Sequence, residues 1–348
     1  MSFWINCRNI FTMLSKSVLL SIVAMSISPA SSGPVPTARS PFSWSGTKHV
    51  SENFPPDTHS VAFGDSYTYV QGTNGYPKYS FIGSYLPGDF AFTPERLLEN
   101  RISQNYTSQS AGGPNWIEYL TGCAVEDGYH SPLDCDVQLW DFAFAGANIA
   151  EALLPLHHPY TIPLVNQTQQ FLQYGDSVLR EHADLDPSNA VVAIWIGIND
   201  IIDAQLLNKA SPEFYAESIK TMLAQSVLPL VKVGYKNFLI LNLPPLDKSP
   251  LNWASLKGQL NDTLIQTWNG ELKAQTRTFA SKHKGVRTGV FDANKLLKNV
   301  LEKPSSYGIT NTTDYCSASN QWPQVVENPT QFGCVPVSEY FWFNSGHM

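Results

Sequence analysis

The chain has 348 residues and a formal net charge of −7 at neutral pH, with 43% hydrophobic and 15% charged residues. This apolar content is enough for one substantial core, and the length fits a single α/β domain. No basic run is long enough to follow a phosphate backbone, so we expect no nucleic-acid partner.

The N-terminus has the pattern of an export signal. Arg8 and Lys16 accompany a mostly apolar stretch over 17–30 that has small residues near its end. This order predicts a signal peptide over residues 1–32. The alternative is a membrane anchor, but the apolar run is shorter than the roughly 20 residues that a spanning helix needs. We therefore expect a secreted, extracellular protein with no membrane span.

After an extended leader over 33–56, rich in Pro, Ser and Thr, the strand candidates follow in one domain over 57–348. Each is a short apolar run that ends at glycine, proline or aspartate. They cover 60–64, 138–145, 190–196, 237–243 and 286–291. Helical patterns lie between them, and this alternation predicts a three-layer α/β/α sandwich with a parallel, flavodoxin-like central sheet.

Three regions between the strands have distinct patterns. Residues 71–115 mix Gly, Pro and aromatic residues without a steady period, which predicts long surface loops. Ser211 followed by Pro212 predicts a helix start, with serine as the cap. An i, i+4 stripe predicts a helix that buries one face; its members are Leu256, Leu260, Leu264, Trp268 and Leu272.

Four cysteines remain once Cys7 leaves with the signal peptide, and an even number in an oxidising compartment predicts two disulfides. Three pairings are possible. We favour Cys123 with Cys135 and Cys316 with Cys334, because both loops are short. A metal site is the rival interpretation, but no CxxC spacing supports it. Four Asn-x-Ser/Thr sequons are candidate glycosylation sites, at Asn105, Asn166, Asn261 and Asn311.

Three of the predicted strands lead into polar or glycine-rich turns, at 64–66, 146–148 and 197–200. Parallel strands bring such turns to one edge of the sheet, where ligands bind. A serine on a strand-to-helix turn can serve as a nucleophile. A glycine N–H and an asparagine amide can hold an oxyanion, and a histidine is then needed as the base.

Four sequence blocks, in this order, resemble those of the GDSL/SGNH hydrolases. They are Val-Ala-Phe-Gly-Asp-Ser-Tyr at 61–67, Ala-Phe-Ala-Gly-Ala at 143–147, Gly-Ile-Asn-Asp at 197–200 and Asn-Ser-Gly-His at 344–347. The resemblance implies Ser66 as nucleophile, His347 as base, and an oxyanion hole formed by the Ser66 backbone with Gly146 and Asn199. It implies no metal and no cofactor. Asp65 and Asp200 are expected to brace their turns.

The last block departs from the family pattern in two ways. The position that usually holds the histidine-orienting aspartate is Asn344, which accepts a hydrogen bond but cannot offset the charge of an imidazolium. The sequence ends at Met348, where relatives usually continue through His-Pro-Thr into a final helix. We therefore expect a truncated C-terminus and a loosely held His347.

Several stretches, among them Gly-Gly-Pro-Asn-Trp at 112–116 and Trp-Ile-Gly-Ile-Asn-Asp-Ile at 195–201, are similar to fungal acetylesterases of carbohydrate esterase family sixteen. This resemblance implies an esterase acting on small esters or acetylated oligosaccharides. We also expect a monomer. The alternatives are a lipase or lysophospholipase, and a catalytically impaired carbohydrate-binding relative. Asn115 and Trp116 either line the site or pack under loops. For His157 and His158 we favour loop packing over a metal site.

Overall fold

A computed structural model describes residues 59–72, 94–103, 114–126, 128–319, 321 and 324–348. The predicted signal peptide, the leader and Asn105 lie outside these ranges. Within them the backbone forms eight strands: β1 His59–Gly64, β2 Gln71–Gly72, β3 Ile102–Ser103, β4 Tyr129–His130, β5 Gln138–Asp141, β6 Val191–Trp195, β7 Asn237–Leu241 and β8 Arg287–Phe291.

The central sheet contains five parallel strands in the order β5-β1-β6-β7-β8. Counted along the chain this is the order 2-1-3-4-5 of flavodoxin-like sheets, in which the direction of winding reverses beside the first strand. In register, Ala62 of β1 lies between Asp141 of β5 and Ala193 of β6. The predicted α/β/α class is confirmed. A second, antiparallel sheet joins β2, β3 and β4.

The α-helices of the described ranges cover the sheet and connect its strands. They are α1 Pro94–Glu99, α2 Trp116–Thr121, α3 Leu164–Gln170, α4 Asp176–His182, α5 Ile198–Leu206, α6 Pro212–Met222, α7 Leu228–Lys232, α8 Pro250–Ala254, α9 Asp262–Lys282, α10 Ala293–Glu302 and α11 Gln324–Glu327. π-helical turns at Phe171–Gly175 and Leu223–Val227 join α3 to α4 and α6 to α7.

The core lies on both faces of the parallel sheet. β6 is continuously apolar, Val-Val-Ala-Ile-Trp, and four of its five residues are buried, as expected of a central strand covered by helices on each side. The largest fully buried side chains include Trp140, Trp268 and Trp342. The three tryptophans lie in β5, in α9 and just before residue Phe343, so the C-terminal segment packs into the same core.

Local signals explain where the structure agrees with the sequence and where it differs. Ser211 caps α6 as predicted, accepting a hydrogen bond from the Phe214 N–H at 3.1 Å. The stripe that predicts a helix from Leu256 is wrong at its start, because Asn261 caps α9 and the helix begins at Asp262. Leu256 is still buried, but in the preceding turn.

Two further expectations need correction. The second strand ends at Asp141, four residues earlier than predicted, because the Asp141 carboxylate accepts the Ala143 N–H at 2.7 Å and turns the chain. Residues 71–115 are not loops throughout: the described part contains β2, β3 and α1.

The structure contains both favoured disulfides. One joins Cys123 to Cys135 and the other joins Cys316 to Cys334. The second bridge belongs to a small apolar cluster of its own, which includes Ala318 and Val325. In the described ranges, no helix is both long enough and apolar enough to cross a bilayer.

Candidate active site

The three predicted turns meet at the carboxyl edge of the sheet. The Asp65 N–H donates to the Trp195 carbonyl at 3.3 Å, and the Phe144 N–H donates to the Gly64 carbonyl at 3.1 Å. The approach is so close that a Cβ atom on Gly64 would lie 2.3 Å from the Trp195 oxygen. Glycine at this position therefore lets the turn that carries Ser66 lie against the end of β6.

Ser66 lies in one helical turn directly after β1. The Tyr69 N–H donates to the Asp65 carbonyl at 2.9 Å and closes this turn, and the short strand β2 begins at Gln71. The helix expected directly after Ser66 is absent from residues 67–72, where the described part of this region ends. The serine is therefore positioned by a tight turn held to β6.

Ser66, His347 and Asn344 form a continuous hydrogen-bonded row. The Ser66 hydroxyl lies 2.7 Å from Nε2 of His347, across 281 residues of sequence. Nδ1 of the same ring lies 2.9 Å from Oδ1 of Asn344. The structure thus brings the first and the last blocks of the sequence into direct contact.

The contacts of Asn344 define the protonation of His347. Its Oδ1 accepts the backbone N–H groups of Gly346 and His347, each at 2.9 Å, so this atom is the amide oxygen. An acceptor opposite Nδ1 requires the ring hydrogen to be on Nδ1. Nε2 is then unprotonated and can accept the hydroxyl hydrogen of Ser66.

Tyr67 and α8 hold the segment that carries the histidine. The Tyr67 hydroxyl donates to the Gly346 carbonyl at 2.6 Å, and its ring centroid lies 5.0 Å from that of His347. The Leu251 N–H donates to the Ser345 carbonyl at 2.7 Å. The expectation of a loosely held His347 is therefore wrong in this structure, since two elements distant in sequence, the turn that contains Tyr67 and α8, hold its segment.

Desolvation lowers the pKa of His347 to about 4. His347 is half-buried, and an imidazole that is partly removed from water is disfavoured in its charged form. The atom opposite Nδ1 is a neutral amide oxygen, not a carboxylate. The ring is therefore neutral and able to accept a proton at neutral pH.

Asn199 lies next to the turn that contains Gly146. It is the second residue of α5, and its Nδ2 donates to the Ala147 carbonyl at 3.0 Å. An amide nitrogen carries two hydrogens, so the other one is available to a ligand. Gly146 has a φ of +79°, which favours glycine over residues with a side chain.

Asp65 and Asp200 are completely buried and bond to backbone groups of the turns. Asp65 accepts the Tyr67 N–H at 3.0 Å, and Asp200 accepts the Ile149 N–H at 3.0 Å. Desolvation raises the pKa of Asp65 to about 8 and that of Asp200 to about 7. Their contacts are those of turn-bracing groups.

Asn115 has a structural role, because its side chain bonds to the backbone of two separate segments. It caps α2 and also donates to the carbonyls of Thr68 and Tyr69, at 2.7 and 2.9 Å, so it ties α2 to the turn after Ser66. Trp116 is half-buried, donates to the Thr68 hydroxyl at 3.2 Å and meets Trp195 edge-on at 5.8 Å.

The two adjacent histidines have separate partners. Nε2 of His157 lies 2.6 Å from Asp203, whereas His158 stacks on Tyr160 with ring centroids 5.0 Å apart. Loop packing describes His158, but His157 makes a specific contact with α5. Across the described ranges, no three His, Cys, Asp or Glu side chains are grouped as a metal site.

Two residues that contact the site turns are not apparent from the sequence. Gln167 bonds to Gly64 across 103 residues, and no local pattern marks it. His157 lies against Gly146 across a loop, and only its pairing with His158 draws attention to it. By contrast, Tyr67 adjoins Ser66 in sequence and could have been considered from its position alone.

At the carboxyl edge of the parallel sheet, a serine thus lies in contact with a neutral histidine, which is the pairing of a nucleophile with a general base. A family model described as GDSL-like lipase/acylhydrolase matches residues 61–334. The chain belongs to this family and is a carboxylic ester hydrolase.

Two curated relatives and one solved structure are similar to the chain. An acetylesterase of Thermothelomyces thermophilus is 24% identical over 63% of this chain and 70% of its own length. The GDSL esterase/lipase APG of Arabidopsis thaliana is 24% identical over 82% of this chain and 85% of its own length. The native aryl esterase of M. smegmatis matches with a TM-score of 0.35 and 18% identity, covering 68% of this chain and 85% of that one.

Proposed function

We propose that the chain is a secreted serine esterase that removes acetyl groups from plant cell-wall oligosaccharides. The observation that carries the proposal is the 2.7 Å contact between Oγ of Ser66 and Nε2 of His347. It is within the distance at which a base takes the proton of a nucleophile. The acetyl preference rests on the similarity to the Thermothelomyces acetylesterase.

In the proposed mechanism, Oγ of Ser66 forms a bond to the ester carbonyl carbon while its proton moves to Nε2 of His347. The carbonyl oxygen becomes an oxyanion held by the N–H groups of Ser66 and Gly146 and by the Asn199 amide. Collapse breaks the bond to the alkoxy oxygen, and His347 gives its proton to the leaving alcohol. Water then attacks the acyl-enzyme in the same way and releases acetate.

Asn344 orients the base in this scheme. It accepts the Nδ1 hydrogen of His347 and keeps Nε2 directed at Ser66. Because it is neutral, the imidazolium that forms during turnover lacks a counter-charge from this position. Proton transfer to His347 is therefore less favourable than it would be beside a carboxylate.

Replacement of the nucleophile tests the proposal. Ser66→Ala should reduce hydrolysis of p-nitrophenyl acetate by at least about a thousandfold while the circular dichroism spectrum stays unchanged. Ser281→Ala, on the exposed face of α9, is the control and should keep parental activity. Activity of Ser66→Ala within a few-fold of the parent would rule out the nucleophile assignment.

One observation bears on each of the two alternatives, a lipase and an impaired carbohydrate-binding relative. A lipase is favoured by the Arabidopsis esterase/lipase, which aligns with more of the chain than the acetylesterase does. An impaired carbohydrate-binding relative is opposed by the contact between Ser66 and His347. An organophosphonate ester should label Ser66 in an active esterase and leave an inactive relative unmodified.

Export and modification complete the proposal. Among the sequons, Asn166 and Asn261 are exposed, whereas Asn311 is half-buried and its Oδ1 accepts the N–H groups of Thr313 and Asp314. We expect glycans on these two exposed sites and on Asn105, which lies outside the described residues, in a secreted, monomeric protein. N-terminal sequencing of the secreted protein, and its mass before and after glycosidase treatment, test this.

A further inference from the structure

His157 covers one face of Gly146. A Cβ atom placed on Gly146 would lie 3.3 Å from Nδ1 and 3.6 Å from Cβ of His157. The imidazole therefore occupies the space that a side chain at position 146 would need. It lies beside the residue whose N–H is proposed to hold the oxyanion.

Asp203 fixes the orientation of this ring. Its Oδ2 lies 2.6 Å from Nε2 of His157. The same oxygen accepts a hydrogen bond from Nδ2 of Asn148 at 2.9 Å. Asp203 is on α5, the helix that carries Asn199, and Asn148 follows Gly146 by two residues. The interaction thus connects the two parts of the candidate oxyanion hole through one carboxylate.

The contact with Asp203 uses Nε2, so the ring nitrogen beside Gly146 is Nδ1. An acceptor opposite Nε2 requires a hydrogen on Nε2, so Nδ1 carries one only when the ring is protonated. Nδ1 has no hydrogen-bond partner among the residues that the structure describes. A protonated His157 therefore offers a charged N–H on the side that faces the oxyanion turn.

The carboxylates around His157 favour its protonated form. The hydrogen bond to Asp203 raises the pKa of His157 and outweighs the lowering by burial, and the charge of Asp203 acts in the same direction as the hydrogen bond. Asp200 and Asp65 add to the rise only when they are ionised, and their pKa values are raised to about 7 and about 8. These three carboxylates are the titratable groups that act on the ring, two from α5 and one from the turn after β1.

We propose that His157, held by Asp203, is an additional electrostatic group of the oxyanion site, which directs an imidazolium N–H toward the acyl oxygen as negative charge develops there. A preorganised cation beside the developing oxyanion stabilises the transition state more than the ground state. The inference rests on the proposed ester hydrolysis and adds a group to it. Loss of the charge should lower turnover and leave substrate affinity nearly unchanged.

The pH dependence of kcat and KM separates this function from simple packing. Acetate release from p-nitrophenyl acetate is measured by chromatography from about pH 4 to about pH 9 for the parent, His157→Gln, Asp203→Asn and the control His158→Gln. The parent should lose activity on the alkaline side as His157 deprotonates. His157→Gln should have a roughly tenfold lower kcat near pH 6 and no such alkaline decrease.

Asp203→Asn should move the alkaline decrease to lower pH, because the ring loses its counter-charge. His158→Gln, whose ring packs on Tyr160, should retain the parental profile. If His157→Gln does not fold, the shift in Asp203→Asn decides the question by itself.

Two results would overturn the inference. One is an equal loss of activity at every pH in His157→Gln, which indicates packing. The other is a parental alkaline decrease in that variant, which indicates that Asp65 or Asp200 titrates instead. Failure of the proposed function itself is distinguishable, because Ser66→Ala would then retain activity whatever the His157 variants do.

Discussion

The side-chain amide of Gln167 bonds to both backbone groups of Gly64, two residues before Ser66. Its Oε1 accepts the Gly64 N–H at 3.0 Å, and its Nε2 donates to the Gly64 carbonyl at 2.9 Å and to the Ile162 carbonyl at 2.8 Å. Gln167 is only 1% exposed, so these bonds form away from water. The amide thus fixes the end of β1 from α3.

Gln167→Leu should destabilise the protein, because the substitution leaves the N–H of Gly64 buried without its acceptor. A loss of about 2 to 4 kcal/mol in the free energy of unfolding is expected from the desolvation cost of the unpaired groups. Urea denaturation measures this loss. Gln169→Leu, on the exposed face of the same helix, is the control and should change the free energy by less than about 0.5 kcal/mol. Equal effects of both substitutions would contradict this account.

Asn344→Asp should increase turnover near neutral pH. The new carboxylate would accept the same Nδ1 hydrogen and offset the charge of the imidazolium, so it would raise the pKa of His347 above about 4. Because the protonated ring cannot act as a base, the acid side of the pH–rate profile should move to higher pH. Asn344→Leu, which removes the acceptor, should instead lower kcat.

The measurement for Asn344 is a pH series of kcat for the three proteins. A rate for Asn344→Asp that is unchanged or lower above about pH 7 would indicate that another acidic residue already stabilises the imidazolium, or that His347 is not the base.

Tyr67→Phe should lower kcat and leave KM nearly unchanged. The substitution keeps the ring against His347 but removes the 2.6 Å hydrogen bond to the Gly346 carbonyl. A net loss of about 1 kcal/mol in the positioning of the base corresponds to a decrease of roughly fivefold. Tyr340→Phe removes a hydroxyl that bonds to the Val335 N–H and should not alter kcat. A parental kcat in Tyr67→Phe would mean that the ring alone positions His347.

Asp65→Asn should reduce the loss of stability at alkaline pH. The pKa of Asp65 is raised to about 8, so between about pH 4 and pH 8 the folded protein holds a proton that the unfolded chain has released. Stability therefore falls as the pH rises through this range. Asp200, with its pKa raised to about 7, acts in the same direction, so part of the decrease should persist in the variant.

The midpoint of thermal unfolding from about pH 6.5 to about pH 9 tests this prediction by comparison, because the titration of His347 adds the same change to the parent and to the variant. The midpoint should fall less in Asp65→Asn than in the parent. Asp184→Asn, at an exposed position, should follow the parent. Identical slopes for Asp65→Asn and the parent would show that Asp65 is ionised when folded.

Much of the architecture follows from local sequence, because apolar runs and caps act over a few residues. Ala193 and Ile194 lie in a continuously apolar run, and Ser211 followed by Pro212 marks the start of α6. The predicted start of α9 is wrong. The apolar period extends back through Leu260 to Leu256, but the cap at Asn261 determines where the helix begins.

The site is predictable only as far as its residues lie in the turns that end the strands. Ser66, Gly146 and Asn199 are of this kind. The bonds of Gln167 to Gly64 and of His157 to Asp203 depend on how α3 and α5 pack, which no local pattern records. The position of His347 depends likewise on Tyr67, whose hydroxyl bonds to a segment 279 residues away.

Aromatic residues near Ser66 are expected to determine which acyl groups the enzyme accepts. Rings follow one another from His347 to Tyr67 at 5.0 Å, to Trp195 at 5.1 Å and to Trp116 at 5.8 Å. We expect these rings to line a small acyl pocket. In such a pocket each added methylene of the acyl chain clashes with the rings instead of gaining roughly 0.8 kcal/mol of burial. Activity should therefore fall steeply from acetyl to butyryl and longer p-nitrophenyl esters, and Trp116→Ala should shift the preference to longer chains.

Acetylated xylo- or gluco-oligosaccharides should be better substrates than lysophosphatidylcholine. A parental optimum at about eight carbons or more, or a preference for the lipid, would replace the acetylesterase proposal with the lipase.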